Sequence, residues 1–302
     1  MSDQAVPHMT TAEAFFDLSR GRQALLSVAQ PALGALLAVG HLPSMRVLAL
    51  GLVAAAAGYL AVFSLNDVFD AKSDVAALKS GTSDADGYDI DTAFLRHPLA
   101  HHELTNSLSI GWVVGLGTLS GVCAYLLAPP CLLLLAAAVA LEAIYCGLRS
   151  VTWLKTGVSG LMVGVGGLAG WAAVAPLSSA AVPFFAFLAL WEIGGRNLPN
   201  DLADVTADSA VGLTTVATVF GEPVSAVATA WVAAATLVAL ALLGQPLGVT
   251  VASVAIGLWA MGLPAISLAR TRTSEQAGRY FNRASLLPAL AFAATLIGIL
   301  AR

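Results

Sequence analysis

The sequence predicts an all-α integral membrane protein with nine transmembrane helices, and three observations predict it. Hydrophobic residues fill 58% of the 302 positions and charged residues 11%, against about 25% charged in an ordinary soluble domain. The mean hydropathy is +0.83, which leaves too little polar surface to cover a water-soluble globule. Nine stretches are long and apolar enough to cross a hydrocarbon core of about 30 Å, which takes about 20 helical residues. Composition therefore excludes a soluble enzyme and a disordered regulator. The net charge of -4 offers no basic footprint for nucleic acid.

Residues 1–23 read as a more polar, cytoplasmic N-terminal segment without a signal-peptide pattern, and 24–302 as the membrane domain. In the first segment Thr10 and Glu13 have the spacing of a capping box. A short helix after it is expected to carry Phe15, Phe16 and Leu18 into the membrane interface. The spans are expected near 24–41, 47–66, 106–127, 130–148, 156–175, 181–198, 223–243, 247–268 and 284–301. The first is the least apolar, with Gln23 just before it and Gln30 inside it. Cys123, Cys131 and Cys146 are isolated in or beside apolar runs and read as inert thiols.

Lysine and arginine set the orientation. With the N-terminus in the cytoplasm, Arg20, Arg22, Lys72, Lys79, Arg96, Arg149, Lys155, Arg196, Arg270, Arg272, Arg279 and Arg283 all fall inside, and Arg46 and Arg302 outside. Shifting the count by one helix destroys that partition. The same side carries the two long connections, about 67–105 and 199–222, whereas the outer loops are short and free of acids. The expected location is the cell (inner) membrane, with the chemistry facing the cytoplasm.

Each long connection opens with three aspartates at i, i+3 and i+7: Asp67, Asp70 and Asp74, then Asp201, Asp204 and Asp208. On a helix those positions share one face. Both follow an outward-to-inward span, four helices apart, as in a duplicated four-helix unit plus a ninth helix. Six carboxylates at one membrane mouth resist ionisation unless cations neutralise them. Hard oxygen donors without Cys or His favour Mg²⁺, which binds one or two carboxylates and substrate phosphates. The pattern reads as a metal clamp on a diphosphate. The plainer alternative, two solvated helix ends, does not explain the repeated spacing.

The two motifs resemble the aspartate-rich motifs of the UbiA-type intramembrane prenyltransferases. Arg96, His97, Pro98 and Leu99 are similar to that family's Arg-Pro-Leu segment, and Tyr145 with Arg149 to its Tyr-x-x-x-Lys/Arg element. Gly195, Arg196 and Asn197 lead into the second motif, and Gly212, Leu213, Thr214 and Thr215 follow it. His97 stands where the family has Arg, Leu213 where it often has a basic residue, and an acidic stretch at 81–91 lengthens the first connection. The resemblance implies nine helices with a lipid-open cavity and Mg²⁺-dependent use of a polyprenyl diphosphate. On this reading Asp67, Asp70, Asp201 and Asp204 are catalytic, and the leaving diphosphate needs fixed cations, for which the cytoplasmic Lys72, Arg96, Arg149, Lys155 and Arg196 are the candidates, with Asn66 and Asn197 beside them.

Glu142 and Glu192 are the acids lying well within predicted spans, where an ionisable group points to function or to a bundle hydrogen bond. Glu192 is the candidate to orient an acceptor or take its proton. Phe63, Phe69, Tyr145, Trp153 and Trp191 lie near the same end and offer ring faces to a cation. The reaction expected is transfer of a prenyl group to a lipophilic or aromatic acceptor in the bilayer. A terpene cyclase needs the same clamp without an acceptor pocket. A transporter would instead place charge and helix breaks at the midplane of both halves.

Overall fold

The computed structural model describes residues 9–80, 90, 92–95 and 97–302. Arg96 and the acidic stretch 81–91, Ile90 excepted, lie outside the described residues. Every regular element among those described is helical.

Thr10 caps α1 (Thr11–Leu18) through a capping box with Glu13, as its spacing predicts. The helix does not carry all of its apolar side chains to the membrane. Ala14 and Leu18 are buried with Leu99 and Leu104, and Phe15 stacks on Trp112 at 4.7 Å. The apolar face meets protein because the segment after the first motif folds back over it.

The first span is α2 (Gly21–Ser27) and α3 (Ala29–Val39), joined at Val28. Its polar residues point inward: Gln23 and Gln30 are buried, and Gln30 accepts from the Tyr59 hydroxyl at 2.8 Å. Helix α4 (Met45–Ser80) is long enough to cross and then project the first motif from the same rod. Then come α5 (Asn106–Leu127), capped by Thr105, α6 (Pro129–Leu148) and α7 (Lys155–Ala172). Helix α8 (Val182–Trp191) runs through a π-helical turn, Glu192–Asn197, into α9 (Leu198–Ala203). Short helices α10 (Val205–Ala210) and α11 (Val216–Phe220) carry the chain to α12 (Glu222–Ala241). Helices α13 (Leu247–Gly257) and α14 (Leu263–Thr271) flank a second π turn. Amphipathic α15 (Ser274–Ala284) precedes the apolar α16 (Leu287–Leu300).

Seven of the described helices are long and apolar enough to cross a membrane: 21–39, 45–72, 106–127, 129–148, 222–241, 247–271 and 274–300. The two other expected spans are also helical, as α7 and as α8 with its π turn.

The helices pack mostly in chain order, and α16 returns to α3, which also touches α7. Glycine permits that last approach. A methyl group on Gly170 would fall 1.8 Å from the Pro31 carbonyl oxygen, and one on Gly160 would fall 2.8 Å from that of Ala189. Phe184, Phe187, Leu188 and Trp191 fill the core between α7, α12 and α15. Cys123, Cys131 and Cys146 are free.

Candidate active site

The first motif projects beyond the apolar part of α4, and each of its acids meets a basic side chain from another element. Asp67, buried, pairs with Arg20 at 3.1 Å. Asp70 pairs with Arg149 at the end of α6. Asp74 meets the His97 ring at 2.9 Å. In the second motif Lys155, at the start of α7, reaches Asp201 at 3.4 Å, and both are buried. The Lys155 ammonium also lies 5.5 Å from the Tyr145 ring centre. Asp204 accepts from Asn200 at 3.3 Å.

Arg149 joins the motifs. Its side chain meets Asp70, and Asp67, Asp201 and Asp208 lie within its electrostatic reach. Its backbone carbonyl accepts from Thr214 N at 3.0 Å, and Thr214 Oγ1 donates to the neighbouring Ser150 carbonyl. The Gly-Leu-Thr-Thr segment after the second motif thus holds the cation that serves the first. Thr215, fully buried, then caps α11.

Beyond the aspartates lies a second polar group, built by the π turn. Its wider pitch brings Glu192, Arg196 and Asn197 to the inside together, where an α-helix would turn Asn197 away. Glu192 Oε1 accepts from Asn197 Nδ2 at 2.7 Å and from Ser159 Oγ at 3.0 Å. Arg196 stands 3.9 Å from Glu192, with Phe281, Phe63 and Trp191 ring centres 5.3, 5.7 and 5.9 Å from its guanidinium carbon. The Tyr280 hydroxyl donates to the Gly194 carbonyl within the turn at 2.9 Å.

The expected diphosphate ligands therefore divide. Arg149 and Lys155 lie on the aspartates, whereas Arg196 and Asn197 belong to the Glu192 group. Asn66 accepts from the Cys146 thiol at 3.3 Å, which also donates to the buried Glu142. Lys72 is exposed, and Arg96 lies outside the described residues. Of the aromatics, Phe63 and Trp191 face Arg196, Tyr145 lies by Lys155, and Phe69 and Trp153 point outward. Sequence reading missed Arg20 and Asp17. An N-terminal Arg on the cytoplasmic side reads as an ordinary membrane anchor, and nothing in the spacing marks its partner.

Among the described residues no three His, Cys, Asp or Glu side chains gather closely enough to hold a metal ion. The pairing accounts for that: Arg20, Arg149, His97 and Lys155 hold four of the six aspartates in separate places. The donor chemistry still fits Mg²⁺. The ligands on offer are hard oxygens. Asp201 Oδ2 is buried without a hydrogen-bond partner. Burial, and after it the neighbouring Asp201 and Asp204, push the Asp208 carboxyl up to about 7, against the opposing pull of Lys155 and Arg149.

The family model for the UbiA prenyltransferase family matches residues 27–287. Among solved structures, a UbiA homologue from Aeropyrum pernix K1 in its apo form superposes with a TM-score of 0.74 at 17% identity, covering 91% of this chain and 97% of that one. A digeranylgeranylglyceryl phosphate synthase gives 0.68 at 14% identity, covering 97% and 100%. A UbiA homologue from Archaeoglobus fulgidus bound to DMAPP and Mg²⁺ gives 0.67 at 17%, covering 93% and 98%. No curated protein matches the sequence.

Proposed function

The chain belongs to the UbiA prenyltransferase family, and on that premise we propose that it transfers a prenyl group from a polyprenyl diphosphate to a lipophilic or aromatic acceptor within the membrane. The observation that carries the reading is the pair of aspartate motifs served by one cation, Arg149, with a buried oxygen of Asp201 lacking any partner. The Archaeoglobus relative of similar fold, bound to DMAPP and Mg²⁺, supports it.

Asp67, Asp70, Asp74, Asp201, Asp204 and Asp208 would hold the metal. Mg²⁺ supplies neutralisation of the diphosphate and stabilises the charge it gains on leaving. Arg149 and Lys155, freed from their aspartates, would turn to the diphosphate oxygens, with Lys72 and Arg96 as further proposed cations. The C–O bond breaks with its electron pair going to the diphosphate. An electron-rich acceptor carbon gives the pair for the new C–C bond, and the proton it loses passes to Glu192. The polar group of Glu192, Arg196, Ser159 and Asn197, one helical turn from Lys155 and Asp201 along α7 and into α9, gives an acceptor a place to be oriented beside the diphosphate. That favours transfer over cyclisation.

With nine spans and a cytoplasmic N-terminus, this site would face the cytoplasm at the cell (inner) membrane. The lysine and arginine partition supports that orientation.

The test is detergent-purified protein with Mg²⁺ and a panel of prenyl diphosphates, without acceptor and then with phenolic and quinone precursors, extracts being read by mass spectrometry. Prenylated acceptor formed only with Mg²⁺ is the expected result. A cyclic hydrocarbon or terpene alcohol without acceptor would replace transfer by cyclisation. In Asp67→Ala and Asp201→Ala, turnover should fall by at least about 100-fold with the protein intact; near-normal turnover in both would sink the clamp.

A further inference from the structure

One short stretch of chain is tied to both halves of the site. On one side Asp17, at the end of α1 and buried, accepts three successive backbone N–H groups. Ala93 donates to its Oδ1 at 2.9 Å, and Phe94, at 2.7 Å, and Leu95 donate to its Oδ2. Arg22 Nη1 adds a bond to the Thr92 carbonyl at 3.1 Å. On the other side Ile90 N donates to Asn282 Oδ1 at 3.0 Å. Asn282 lies on α15, which packs on α9, the helix of Asp201.

The Asp17 end is as closely set. Arg20 has left-handed backbone, φ 43°, which a non-glycine residue keeps only where its surroundings fix it. Those surroundings are named residues. Ser19, fully buried, lies 2.8 Å from the Ser64 hydroxyl and accepts from Trp112 Nε1 at 2.9 Å. From that turn Arg20 sends Nε and Nη2 to Asp67 at 3.3 and 3.1 Å.

Burying a carboxylate is costly unless its lone pairs are filled. Asp17 is filled by backbone alone, so what the cost secures is the location of residues 92–95. We propose that Asp17 is a positioning residue of the diphosphate site. It anchors residues 92–95 beside the turn from which Arg20 reaches Asp67, in the stretch whose other end, Ile90, meets Asn282 on α15. This rests on the diphosphate reading above. Asparagine cannot replace it, because its amide N–H₂ would face either Ala93 N–H or those of Phe94 and Leu95, donor against donor.

The experiment uses the full chain in detergent, Asp17→Asn beside wild type, with two readouts. Chymotrypsin cleavage after the exposed Phe94 reports the tether. Thermal protection by Mg²⁺ with inorganic diphosphate reports the site. For Asp17→Asn, cleavage should quicken about tenfold, and half-maximal protection should need about tenfold more diphosphate. In turnover KM for the donor should rise while kcat moves less. Asn282→Ala, which loosens the other end without touching α1, should shift both readouts the same way. It decides the matter if Asp17→Asn does not fold.

Faster cleavage with unchanged protection would make Asp17 a purely local support and overturn the proposal. So would unchanged cleavage. If wild type itself gained no protection, the diphosphate reading would fall and this inference with it. Protection of wild type and variant alike would defeat this inference alone.

Discussion

Lys155 and Asp201 form an ion pair across α7 and α9 at 3.4 Å, with 4% and 6% of their side chains exposed. Its Coulomb gain competes with the desolvation of two charges, so such a pair is weak evidence of stabilisation. The second oxygen of Asp201 has no partner. On the proposed reading the pair is half a site, which a divalent cation would complete.

Breaking the pair from the lysine side tests that. Lys155→Met leaves a buried carboxylate uncompensated and should destabilise the metal-free protein by about 3 kcal/mol. Mg²⁺ should then raise the melting temperature of the variant more than that of wild type, because it replaces the missing charge. Equal responses to Mg²⁺ would mean that Asp201 does not receive it.

Glu192 separates two halves of the proposed reaction. Glutamine keeps the acceptor oxygen for Ser159 and Asn197 but cannot take a proton as a carboxylate does. Glu192→Gln should lower prenylation by about 100-fold or more, while thermal protection by Mg²⁺ with inorganic diphosphate stays near wild type. A parallel loss of both would assign Glu192 to the architecture of the π turn instead.

Packing gives an independent check on the bundle. A methyl group on Gly170 would overlap the Pro31 carbonyl, whereas around Gly166 there is open space. Gly170→Ala should cost about 1–3 kcal/mol by forcing α3 from α7. Gly166→Ala should be neutral or slightly stabilising, since alanine is the better helix former. Thermal melts of the two side by side settle it, and equal melting temperatures would contradict the α3–α7 approach.

Apolar length and the aspartate spacing carry most of what the sequence makes legible. Hydropathy locates the helical rods, and i, i+3, i+7 places Asp67, Asp70 and Asp74 on one face of α4. The partners are less legible, because an ion pair such as Arg20 with Asp67 joins positions 47 residues apart and leaves no periodic mark. Arg196 and Asn197 read as diphosphate ligands from their proximity to the second motif. Their contacts with Glu192 come from the π geometry, and one inserted residue in a helix has no signature in an apolar run containing Gly194 and Gly195. The apolar face of α1 resembles that of an interfacial helix, since lipid and the Leu99–Leu104 surface demand the same residues.

That π turn supplies the last prediction. A π turn frees backbone carbonyls from the α ladder, and a buried carbonyl without a donor is costly. Tyr280, buried on α15, donates its hydroxyl to Gly194, so a side chain from the end of the molecule stabilises the turn that aims α9. Tyr280→Phe removes one hydroxyl and no packing volume. The stranded carbonyl should cost about 1–3 kcal/mol. If the turn then relaxes toward α geometry, everything after it rotates relative to α8, including Asp201. The expected signature is a lower melting temperature together with weaker protection by Mg²⁺ and diphosphate. Lower stability with wild-type protection would mean that α9 is aimed by its own contacts with α12 and α15. An unchanged melting temperature would mean that the Gly194 carbonyl does not depend on Tyr280.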